Sequence, residues 1–222
     1  EVIEQIAFEA RKSEFVDQKS GVSARLTIAA MENLVSNAER RSILTKDSRI
    51  APRICDLPHV LPGMTGKVEL VFEGEQEGPA KVGKALIGKA VREIFKKYYP
   101  DPLQKKVSRS RTAEGQGHVD ETEYGKVTTW FEAGHKIEIA DDMPIVDYFH
   151  ELDKVNGLRD VTKKHMKLLD DDKYALASAM EFTLDGLHQF SKIAKDEIGH
   201  SIEYKDLVGS IFMSRGKGEE ED

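Results

Sequence analysis

Apolar residues along this chain recur mostly at helical spacing and only briefly at strand spacing. Val2, Ile3, Ile6, Ala7 and Ala10 form one stripe and predict a helix over residues 2–12. "EFVDQKSGV" breaks the period. Ser23 then stands where a helix cap belongs, before "ARLTIAAMENLVSNAERRSI". The inner face of this second helix is Leu26, Ala29, Ala30, Leu34 and Ala38. "SRIAPRICDLPHVLPGMTG" holds three of the seven prolines and reads as an extended connector. Val68, Leu70 and Phe72 alternate as in a strand, which ends in an acidic, glycine-bearing turn. Ile87, Val91, Ile94 and Tyr98 repeat at four, three and four, predicting a long amphipathic helix that "PDP" stops.

Residues 103–120 are polar and glycine-bearing and read as a mobile loop. "ETEYGKVTTWFEAG" suits helix or strand equally. "HKIEIADD" alternates as a short strand, expected to pair with residues 67–72. "PIVDYFHELDKVNG" reads as a helix with Pro144 in its first turn and Asn156-Gly157 as its stop. "LRDVTKKHMKLL" reads as a further short helix. The longest helical stretch is "DDDKYALASAMEFTLDGLHQFSKIAKDEIG", a helix near 173–198, with Tyr174, Leu176, Ala177, Met180, Leu184, Leu187 and Ile193 facing inward and Gly199 as its cap. "EYKDLVGSIFM" reads as a last helix and 214–222 as a disordered tail. No internal repeat is visible. The expected fold is mainly α with one small sheet or hairpin.

Composition narrows the class. Charged residues make up 33% and aromatics 7%, a balance that suits a soluble helical protein. The net charge of -7 gives no reason to expect nucleic acid or an anionic membrane as partner. The single cysteine, Cys55, cannot form an internal disulfide, and a reducing, cytoplasmic setting is expected. No apolar run is long enough to span a bilayer, and no signal-peptide pattern opens the chain. "EVIEQIAFEARKS" reads as mid-helix, so a piece of a longer protein is expected.

Two stretches suggest phosphate chemistry. Gly78 to Ala85, "GPAKVGKA", is one residue short of the phosphate loop G-x-x-x-x-G-K-[ST]. Ala85 stands where a hydroxyl must hold Mg²⁺, Pro79 removes a backbone donor, and no doubly wound sheet is predicted around it. A helix start explains the match better, with Lys84 on its solvent face. In "SGVSARLTIAAMENLVSNAERR", Arg25 follows a glycine turn and a capping serine at a helix start, where a guanidinium can reach a neighbouring phosphate.

"EVIEQIAFEARKSEFVDQKSGVSARLTIAAMENLVSNAERR" and "RICDLPHVLPGMTGKVELVFEGEQEGP" resemble the C-terminal part of AAA+ ATPases related to the magnesium chelatase ATPase subunit. The resemblance is dense over residues 1–100 and looser, through "WFEAG" and "YFHELDKVNGL", to about 212. It implies that residues 1–50 form the helical lid and 51–222 a family-specific extension. It also implies that Arg25 is the second sensor, the lid arginine that touches the γ-phosphate. A bidentate guanidinium stabilises charge on the transferring phosphoryl group and links nucleotide state to lid angle. The family's phosphate loop and Mg²⁺ aspartate belong to an N-terminal αβ domain, so ATP and Mg²⁺ are cofactors of the full-length protein. This chain alone is not expected to hydrolyse ATP. A homo-oligomeric ring is the implied assembly.

Other candidates weigh less. Arg40 and Arg41 read as a solvated helix end, with a neighbouring subunit as the alternative. Residues 81–111 hold ten basic residues against Glu93 and Asp101. This supports a second function class, a stand-alone adaptor binding an acidic partner or nucleic acid. No histidine and cysteine pattern marks a metal site, and neither "EGEQEG" nor "DDD" has calcium-loop spacing. Cys55 has no evident base. Trp130-Phe131 and Tyr148-Phe149 read as core pairs.

Overall fold

The computed structural model describes residues 1–20, 22–104, 123–168 and 172–207. The loop expected over 103–120, beyond residue 104, lies outside the described residues, as do the tail and the last expected helix beyond residue 207; the start of that expected helix, residues 203–205, is instead strand. The chain is mainly helical with one small antiparallel sheet. It divides into two compact units, Glu1–Lys97 and Tyr98–Asp222.

In the first unit, α1 (Val2–Lys12) turns Ile3, Ile6, Ala7 and Ala10 inward. It packs on α2 (Arg25–Thr45), whose buried face includes Leu26, Ala30, Leu34 and Ala38. Lys46, in the left-handed conformation with φ 59°, ends α2 by donating its N–H to the Ser42 carbonyl. Residues 54–64 are not the extended connector expected. Ile54–Val60 forms a 3₁₀ helix and Leu61–Met64 a single α-turn, α3, and both pack on α2. Pro62 sits in the first turn of α3, where its missing N–H costs little.

The strand expected at 67–72 is also corrected. Val68 and Leu70 make only isolated bridges, Val68 to Val22 and to Thr65, and Leu70 to Val16, and Phe72 already begins α4 (Phe72–Glu77). The acidic turn is thus helical. Gly78, at φ 90°, separates α4 from α5 (Pro79–Tyr98), which buries Val82, Leu86, Ile87, Val91 and Phe95.

The second unit is built around α9 (Lys173–Gln189), buried at every position from Ala179 to Leu187. The Asp172 carboxylate caps it by accepting the Ala175 N–H at 3.0 Å. Helices α7 (Ile145–Asp153) and α8 (Leu158–Met166) pack on it, and α6 (Gly125–Glu132) resolves the open helix-or-strand reading as helix. The helix expected to be the longest, α9, has 17 residues and is shorter than α2 and α5. Ser191 turns left-handed at φ 54°, and the next segment is a strand. β2 (Ala194–Ile198) and β3 (Ser201–Lys205) form a hairpin in which Gly199, at φ 60°, is a turn residue instead of a helix cap. β1 (Ile137–Ala140) pairs with β3, Ile139 opposite Ile202, and not with residues 67–72. The sheet order is β1-β3-β2. Among the described residues, no helix is long and apolar enough to cross a membrane.

Candidate functional site

Arg25 is the first residue of α2 and is exposed. Ser23 does not stand at the formal cap position, which is Ala24, yet its Oγ accepts the Arg25 N–H at 3.2 Å and its carbonyl accepts that of Leu26. The segment leading to Arg25 is itself fastened down. Asp17 donates its N–H to the Glu69 carbonyl at 2.9 Å, and Ser23 donates to that of Lys67. The Asp17 carboxylate accepts the Lys19 N–H and the Ser20 hydroxyl, and these bonds hold it below its ordinary value. The base of Arg25 is thus fixed by residues 65–71, while its guanidinium makes no ion pair among the described residues.

The outer face of α2 continues with apolar side chains. Ile28 is 59% exposed, and Met31 and Val35 follow it at three and seven residues. One exposed face of a 21-residue helix therefore carries a free cation at its start and an apolar stripe beyond it. A solvated helix face is normally polar. Sequence reasoning missed this stripe.

Arg40 is exposed, as expected of a solvated helix end, but Arg41 is not. Arg41 is buried, and its guanidinium grips Asp56 and the Ala51 carbonyl, the latter at 2.8 Å. Arg40 donates from Nε to Asn37 Oδ1. Arg41 belongs to the frame of the first unit. Cys55 is buried beside Arg41, with Sγ 3.9 Å from Nη1.

The stretch resembling a phosphate loop is a helix start. Pro79 begins α5, the Val82 N–H is bonded to the Gly78 carbonyl, and residues 79–85 are regular helix and not the loop that cradles phosphate. Lys81, Lys84, Lys89, Lys96 and Lys97 lie exposed on α5. Lys81 pairs with Glu77, Lys96 with Glu93 and Lys97 with Glu1. The basic residues from 105 to 111 lie outside the described residues.

The second unit holds a buried polar network on α9. Tyr148 on α7 donates its hydroxyl to Glu181 Oε2 at 2.6 Å. Thr183 meets Tyr99 Oη at 2.7 Å and Thr162 Oγ1 at 2.9 Å. Burial pushes the Tyr99 hydroxyl up to about 12, although both threonine hydroxyls pull the other way. Lys195 on β2 pairs with Asp185 at 2.6 Å. Burial disfavours its charge, but the charge and hydrogen bond of Asp185, with Glu181 and Glu197, hold its ammonium above the ordinary value.

A cleft of about 620 Å³ lies between α6 and α8, beside Trp130. His135 stacks on Trp130 with ring centres 4.7 Å apart. Glu123 on the cleft wall is taken by Lys164 and His165, each at 2.7 Å. Lys126 and Asp160 also line the cleft, so it presents charge of both signs. Of the two aromatic pairs, Phe131 and Tyr148 are core, while Trp130 and Phe149 are partly exposed. Among the described residues, no cluster of histidine, cysteine or carboxylate side chains could hold a metal ion. No family model, curated protein or solved structure matches the chain.

Proposed function

We propose that this chain is the helical lid and C-terminal extension of an AAA+ ATPase related to the magnesium chelatase ATPase subunit. Arg25 completes the nucleotide site of that protein. The observation that carries the reading is the outer face of α2, with exposed Arg25 at the helix start followed by Ile28, Met31 and Val35. A guanidinium on a fixed base can reach the γ-phosphate of an ATP held, with Mg²⁺, by an N-terminal αβ domain. The apolar stripe then packs against that domain. The contact exists only while the γ-phosphate is present, so hydrolysis changes the lid angle. Assembly is a cytoplasmic homo-oligomeric ring, and the chain alone turns over no ATP.

The test is Arg25→Ala in the protein carrying its αβ domain. ATP turnover should fall at least tenfold with the unfolding midpoint unchanged, since an arginine on the γ-phosphate supplies several kcal/mol. Unchanged turnover removes Arg25 from the site. A full-length protein with no phosphate-loop domain N-terminal to this chain overturns the whole reading. The exposed lysines of α5 favour a second reading, an adaptor for an acidic partner or nucleic acid, which predicts salt-dependent binding without nucleotide.

A further inference from the structure

The first unit contains a groove of about 890 Å³ on a different set of residues from the Arg25 face. Leu61 and Met64 of α3, Val68 and Leu70 of the bridging segment, and Val82 and Leu86 of α5 line it. Leu61, Val68 and Leu70 are only partly covered, so some apolar surface is left open to water. The volume lies within the range that encloses a drug-sized ligand or the anchor side chains of a docked peptide.

Two carboxylates, Glu69 and Glu75, also line this groove and are exposed. Among the described residues neither is paired with a cation, whereas the nearby Glu77 is held by Lys81. Residues 67–81 carry four carboxylates against two lysines. Phe72, 69% exposed at the start of α4, adds apolar surface on the same segment. An apolar floor beside uncompensated negative charge repels anions and acidic peptides, and gains from apolar groups flanked by cations.

We propose that this groove docks a peptide segment of a partner protein, in which two or three apolar side chains fill the floor and flanking lysines or arginines meet Glu69 and Glu75. The inference stands on the groove alone and does not depend on the role of Arg25.

The probe is a fluorescein-labelled peptide of about 15 residues, with apolar positions at helical spacing and lysine flanks. A second peptide carries glutamate in place of every lysine. The whole chain should bind the lysine peptide saturably in fluorescence anisotropy and the glutamate peptide at least tenfold more weakly. Glu69→Lys with Glu75→Lys should weaken binding about fivefold or more, since each exposed pair contributes a fraction of a kcal/mol. Ala80→Arg, at an exposed helical position on the groove wall, should weaken it by filling the space while leaving the helical circular dichroism and melting temperature unchanged. Equal affinity for both peptides, or unchanged affinity in folded Ala80→Arg, overturns the proposal. So does saturation by dodecyltrimethylammonium alone with no peptide bound, which makes the groove a small-molecule site.

Discussion

Arg41 and Asp56 meet inside the first unit through two parallel hydrogen bonds, Nη1 to Oδ1 at 2.5 Å and Nη2 to Oδ2 at 2.9 Å. Asp56 also accepts from Asn37 Nδ2 at 2.6 Å and from the Arg53 N–H at 2.7 Å. One carboxylate thus fastens the 3₁₀ turn to α2.

Removing one partner strands a buried charge. Asp56→Ala should destabilise the first unit by about 3–5 kcal/mol. The apolar double variant Arg41→Met/Asp56→Leu should lose markedly less, because no charge stays behind. Urea unfolding of both variants checks this, and equal losses would contradict it.

Tyr148→Phe deletes the hydroxyl that serves Glu181, with both residues fully buried. The expected loss is about 1–3 kcal/mol, a fall in melting temperature of several degrees.

The second unit should weaken at alkaline pH. Lys195 is raised above its ordinary value, so its contribution is present below about pH 10.5 and is lost as pH rises through the folded value. Tyr99 is raised from 10.0 to about 12, so its contribution is likewise lost over that interval. Glu203 is lowered, chiefly by the hydrogen bond from Lys136, so its contribution is present at neutral pH and lost in acid. Stability against urea should therefore be flat through neutral pH and fall above about pH 10. Tyr99→Phe should make that alkaline fall shallower.

Gly74→Ala tests how closely α4 sits on the segment after α1. A Cβ there would lie 2.5 Å from the Phe15 carbonyl oxygen and 3.2 Å from Leu70 Cβ. Alanine favours a helix by about 1 kcal/mol, but the clash involves backbone, so a net loss of about 1–3 kcal/mol is expected. Thermal unfolding gives the sign directly.

The helices read from the sequence at α1, α2, α5, α7, α8 and α9 are present, α9 ending earlier than expected, because an apolar inner face at helical spacing marks them. Residues 54–64 misled because three prolines suggest extension, whereas Pro62 occupies a first helical turn. The hairpin was hidden by composition. β2, "AKDEI", has no apolar alternation, and Gly199 suits a helix stop as well as a turn. Ser23 and Arg25 were legible as a helix start. Arg41 was not legible as a buried anchor, because its partner Asp56 lies fifteen residues away, a relationship no periodicity encodes. The stripe of Ile28, Met31 and Val35 was passed over because the inner face already accounted for the helix.

The order β1-β3-β2 has a consequence for synthesis on the ribosome. Residues 137–140 have no sheet partner until residues 201–205 emerge, since the middle strand is the last to be made. At ordinary translation speeds of about 5–20 residues per second, β1 waits several seconds with its backbone edge open. A nascent chain stalled before β3 has left the exit tunnel should therefore be more readily cleaved near Ile137 than one released in full.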